Sequence, residues 1–112
     1  DIPSRVKITV LRCFSTEEVF RDSPVKAKYR GPCPAFKVGQ EFIIDTAPEP
    51  FFHLHAPVKP EGFCPYAWDS IFWGVMALRS NSDFLEWYED PGVAIWSCPD
   101  GLRPAIFKLE RI

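Results

Sequence analysis

Cys64-Pro65-Tyr66-Ala67-Trp68-Asp69-Ser70-Ile71-Phe72-Trp73-Gly74-Val75-Met76-Ala77-Leu78-Arg79 carries the clearest helical pattern in the chain. Proline suits the first helical position, where its missing N–H would have no partner anyway, and this makes Cys64 the N-cap. Ala67, Ile71, Val75 and Leu78 recur on one face, with Trp68 and Phe72 beside it. Arg79 complements the negative end of the helix, and Ser80-Asn81-Ser82 stops it. The spacing therefore predicts a helix over 65–79 with an apolar stripe to bury. Gly74 in its middle costs about 1 kcal/mol relative to alanine. Its presence implies close packing against another element or against a second subunit in a homodimer, and Trp73 beside it is the aromatic expected to be exposed or at an interface.

Working outward, strands supply the surface for that stripe. Val6, Ile8 and Val10 alternate with Lys7, Thr9 and Leu11, so Arg5 to Phe14 reads as a strand. Ser15-Thr16-Glu17-Glu18 matches a capping box and predicts a short helix through about Arg21, ended by Asp22-Ser23-Pro24. Glu41 to Asp45 is a second strand. Residues 46–62 hold four prolines and read as a long loop, with Phe51-Phe52-His53-Leu54-His55 as a short strand inside it. Asp83 to Tyr88 reads as one more helical turn. Val93 to Ser97 and Ala105 to Ile112 are strands, and Cys98-Pro99-Asp100-Gly101 fits a type I turn between them. Phe107 and Leu109 would then face the core and Lys108 and Glu110 the solvent. The fold class is α+β: a small antiparallel sheet covered by one main helix, with a C-terminal β-hairpin, in a single domain over 1–112.

Composition excludes several classes. The chain has 112 residues and a formal net charge of −2, with no basic block, so nucleic acid has no electrostatic footprint. No apolar run approaches the ~20 residues of a membrane helix. The start, Asp1-Ile2-Pro3-Ser4-Arg5, does not read as a signal peptide. Four widely spaced cysteines suit reduced thiols in a cytoplasmic protein, with two disulfides in a secreted domain as the alternative. Ten Phe and four Trp fill a core first, and some can line a small-molecule pocket.

Three of the four cysteines precede proline: Cys33-Pro34, Cys64-Pro65 and Cys98-Pro99. Each lies in a turn-rich setting, and proline pushes the preceding residue toward an extended conformation. Three thiols on separate bends can converge on one site. Cys64 stands out, because unpaired N–H groups and the positive end of a helix favour thiolate.

The stretches Cys33-Pro34-Ala35-Phe36-Lys37-Val38-Gly39-Gln40-Glu41-Phe42, Pro60-Glu61-Gly62-Phe63-Cys64-Pro65-Tyr66-Ala67-Trp68 and Cys98-Pro99-Asp100-Gly101-Leu102-Arg103-Pro104 resemble a family of small conserved proteins of unknown function marked by Cys-Pro loops. The resemblance runs from about Val6 to the C-terminus and implies no activity. Val19 to Arg30 and Thr46 to Lys59 are longer than the family's pattern, so a role for His53 or His55 would belong to this branch alone.

Three functional readings follow. The first is a small intracellular enzyme acting by acid/base chemistry on a small organic molecule: decarboxylation, dehydration, isomerisation or cyclisation. It uses no organic cofactor, since no phosphate loop, dinucleotide fingerprint or serine elbow occurs. Cys64 is the activated group, His53 or His55 the base and Asp100 the acid. Arg103 anchors the substrate, and Tyr66 and Trp68 lie near it. If extended, His53-Leu54-His55 sets both imidazoles on one side. The plainer reading of Asp100 and Arg103 is a turn and its ion pair. The second is a thiolate protein binding zinc or another soft divalent metal through Cys33, Cys64 and Cys98, with a histidine as fourth ligand. The third is a non-catalytic binding domain in which the Cys-Pro segments are only turns.

Overall fold

Side-chain alternation along Val6–Cys13 makes β1 a strand with one buried face: Val6, Ile8 and Val10 are buried, while Lys7, Thr9 and Leu11 are half-exposed. The computed structural model describes residues 3–22 and 24–112. Part of the Asp22-Ser23-Pro24 stop signal therefore lies outside the described residues. The helix before it, α1 (Thr16–Val19), ends earlier than its pattern implied, at an extended Phe20. Its start is as read. Ser15 Oγ accepts from Glu18 N, and Glu18 Oε1 accepts from Ser15 N at 3.0 Å. Hydrogen bonding from Ser15, its backbone N–H first and its side chain second, holds the Glu18 carboxyl below the usual carboxylate range.

Strands β2 (Glu41–Ile44), β3 (Val93–Ser97) and β4 (Ala105–Arg111) complete an antiparallel sheet in the order β2-β1-β4-β3. Val6 pairs with Ile44 on one side and Arg111 on the other. The β1–β4 register shifts between Val10 and Arg12, a bulge that bends the strand before Cys13 meets Ala105. Phe107 and Leu109 face inward, fully buried, and Lys108 and Glu110 form an ion pair at 3.6 Å outside.

Helix α2 (Pro65–Arg79) has Cys64 as N-cap and proline at its first position, and lies on one face of the sheet. Ala67, Ile71, Val75 and Leu78 are fully buried against it. Gly74 is where the helix comes closest. A Cβ there would stand 3.0 Å from the Trp96 ring and 3.1 Å from Leu109 Cδ1, so the close packing is within the chain. Trp73 is 73% exposed.

Two sequence expectations are corrected. Phe51–His55 is not a strand: Phe52–Leu54 forms a 3-10 turn, closed by Leu54 N to Phe51 O and His55 N to Phe52 O. His55 sits at φ 53°, so the two imidazoles do not share a strand face. The β3–β4 connection is likewise no four-residue turn. It runs over 99–104 and is closed by Cys98 N to Ala105 O at 3.0 Å. Asp100 Oδ1 organises it by accepting from Leu102 N (2.9 Å) and Arg103 N (3.3 Å).

This topology gives the molecule two poles. β1 runs from Val6 to Cys13, roughly 23 Å at strand rise. α2 runs the other way, from the thiol-bearing pole at Cys64 to a pole at Arg79, roughly 22 Å. At that second pole Arg79 O accepts from Ser4 N, and Leu78 O accepts from Arg111 Nη1.

Candidate functional site

The thiol pole is built from four segments, each held in place locally. The turn Pro60–Phe63 closes through Phe63 N to Pro60 O, with Gly62 at φ 80°, and delivers Cys64 to the mouth of α2. The Cys64 side chain takes no capping bond from the first helical N–H groups. The segment after Cys33 is anchored to β1 by Gly39 N to Val10 O and Val10 N to Gln40 O. Phe36, inside it, is buried edge-on against Phe63 and Phe107, with ring centroids 5.0 Å away in both cases. Cys98 directly follows β3, and its Sγ accepts from Ala105 N at 3.2 Å. Cys13 ends β1 directly opposite Ala105 and donates to Phe36 O at 3.7 Å.

Three of these segments, those carrying Cys33, Cys64 and Cys98, line a hollow of about 360 Å3. Cys33, Cys64 and Cys98 all line it, with Phe36, Tyr66, Pro99, Asp100, Arg103 and Ala105. The volume falls in the range of small-ligand pockets. Its walls are largely apolar, and its ionic groups are Asp100 and Arg103. Arg103 Nε stands 3.7 Å from Asp100 Oδ2, and the guanidinium lies 5.8 Å from the Tyr29 ring. Asp100 is thus committed to two backbone N–H groups and an ion pair, which is the structural role its turn context implied.

All four cysteines are free and half-buried. Cys13 does not line the hollow, but it is close enough to be affected by two thiols that do. Burial, then the neighbouring charges of Cys33 and Cys98, push its pKa up. Sequence reasoning passed over Cys13 because no proline follows it, and its place depends on strand register.

The remaining candidates separate. His53 is exposed on the 3-10 turn, and His55 lines a different hollow with Met76 and Arg79, at the far end of α2. Neither belongs to the thiol pole, so neither is placed to act as base beside Cys64 or as fourth ligand to the three sulfurs. Trp68 does not line the thiol hollow; it packs edge-on between Phe63 and Phe72, at 6.3 and 5.6 Å. Among the described residues no three His, Cys, Asp or Glu side chains are grouped to hold a metal ion. Cys33, Cys64 and Cys98 share a hollow without forming a ligand shell.

Comparison of the chain with protein-family models, with curated proteins and with solved structures gives no match in any of the three.

Proposed function

We propose that the thiol hollow binds a small organic anion and that the protein is an isomerase-type enzyme moving a proton by cysteine acid/base chemistry. The observation carrying this reading is that three Cys-Pro thiols from three separate segments line one small, mostly apolar hollow beside Arg103. Apolar walls favour the carbon skeleton of a ligand, and Arg103 supplies an anchor for its carboxylate. The Cys64 thiolate takes a proton from the carbon next to that carboxylate. The electron pair left behind delocalises into the carboxyl group beside the cation. A thiol of Cys33 or Cys98 returns a proton to the substrate, and the two sulfurs then exchange protons to reset the site. No group is lost or gained. Histidine has no part, and Asp100 holds Arg103 rather than acting as acid. Four free cysteines, three of them lining one hollow, suit a reducing, intracellular setting. Membership of the Cys-Pro family remains our reading of the three motifs and adds no activity to it.

The test is solvent-deuterium incorporation by NMR across a panel of small 2-substituted carboxylates. At least one should exchange its proton next to the carboxylate. Cys64→Ser should slow that exchange by roughly 100-fold or more, the usual weight of a positioned acid/base group. Exchange at the wild-type rate in Cys64→Ser would remove the proposal. The zinc-type reading needs the sulfurs to move together. A metal at one per chain, in protein purified without chelator, would favour it instead.

A further inference from the structure

Among the described residues, the opposite pole holds a buried cation with no ion-pair partner in direct contact. Arg79 is 2% exposed, yet it forms no ion pair among the described residues. Its Nη2 donates to Thr46 Oγ1 at 2.6 Å and, weakly, to His55 O at 3.5 Å. Among the described residues its Nε and Nη1 have no acceptor, and nearby His55 Nδ1 is buried and unpartnered too. Burial works against the charge, and Asp45 offsets this only from a distance. Leaving a guanidinium desolvated and unpaired is costly, so such a group is expected to meet an anion. Beside it lies a hollow of about 360 Å3, lined by Arg79 and His55, by apolar Pro3, Leu54 and Met76, and by the polar end of α2.

We propose that this second hollow is a binding site for a small organic monocarboxylate, with Arg79 as its anchor. One cation faces the ligand, and the hollow opens at the carbonyl end of α2, where the helix dipole is negative. Both features favour a single negative charge over a phosphate dianion. The wall of Pro3, Leu54 and Met76 takes an apolar tail. Nε and Nη1 are shielded from bulk water, and Nη2 reaches the Phe52–His55 turn through His55 O. That 3.5 Å bond is long, so a slight shift of the turn lets a carboxylate reach the unpaired Nε and Nη1.

The test is a 1H–15N NMR titration of the whole chain with sodium hexanoate, set against sodium phosphate at matched ionic strength. Hexanoate should shift the Leu54, His55, Ser80 and Asn81 amides saturably, raise the melting midpoint, and bind roughly tenfold or more tightly than phosphate. Arg79→Met should lose this response. Met76→Trp, which fills the hollow and leaves the arginine in place, should lose it as well and guards against a folding defect in the first variant. The proposal is overturned if wild-type amides do not shift saturably, if either folded variant binds hexanoate as wild type does, or if phosphate binds equally well. It is also overturned if Asp45→Asn lowers the melting midpoint while hexanoate leaves wild type unaffected, since Asp45 would then be the working counter-charge.

Discussion

Gly74 lies against Trp96 so closely that a methyl group on its Cα would stand 3.0 Å from two indole carbons. The indole has little room to retreat, because its Nε1 donates to Ser70 O at 3.0 Å and Phe84 packs on it at 6.1 Å. Alanine is worth about 1 kcal/mol over glycine in a helix interior, but overpacking costs about 1–3 kcal/mol. Gly74→Ala should therefore lose about 1 kcal/mol in urea unfolding. A gain in stability would mean that α2 can lift from the sheet freely.

Cys13 should be the slowest of the four thiols to alkylate. Its pKa is pushed up by burial and by the charges of Cys33 and Cys98, so its thiolate is scarce at neutral pH. Iodoacetamide labelling followed by peptide mass spectrometry at pH 7.5 should place it last. The folded state favours the protonated thiol, so its contribution to stability is complete below about pH 9 and is lost as pH rises further. Labelling of Cys13 ahead of the hollow's thiols would contradict this order.

Asp83 ties the loop before β3 to the last strand. Its Oδ1 accepts from Arg111 Nη2 and from Gly92 N, both at 2.7 Å. These bonds, the arginine's first, hold its carboxyl below the usual range. A depressed folded pKa stabilises above the unfolded value, near pH 4, and that contribution disappears as pH falls below it. Asp83→Asn should thus lower the thermal midpoint at pH 7 and flatten its fall below about pH 4. An unchanged acid limb would show that the pair does not drive the pH dependence.

Asp100 should matter to stability before chemistry. Asp100→Ala leaves Leu102 N and Arg103 N without their acceptor and should cost about 1 kcal/mol. Asp100→Asn keeps the accepting Oδ1 and should recover most of that loss. If Asn fails as fully as Ala, the ion pair to Arg103 is the dominant contribution instead.

Much of this was legible in the residues themselves. Pro65 after Cys64 and the four-residue apolar stripe fixed α2 to the residue, because both signals are local. The β3 and β4 strands were legible too, and their pairing followed from the turn expected between them. Two segments misled. Phe51–His55 has strand-like side chains, but Pro48 and Pro50 offer no N–H to a ladder, and the backbone closes on itself in i→i+3 bonds. Cys98–Gly101 has type I turn chemistry, but the Asp100 side chain accepts from Leu102 N and Arg103 N and so organises a longer loop. The gathering of the thiols, and the removal of both histidines from them, depended on strand direction. β2 runs antiparallel to β1 and carries the 46–58 segment toward the Arg79 pole. No local pattern announces that.

Val6 and Arg111 are direct partners across β1 and β4, so both ends of the chain leave the sheet on the side remote from Cys13 and Ala105. An affinity handle or a fused neighbour at either terminus would hang clear of the sulfur-bearing mouth while crowding the approach to Arg79. Any labelled or tethered form of the protein thus inherits an asymmetry: chemistry at one end stays open to reagents, and access at the other depends on what is attached.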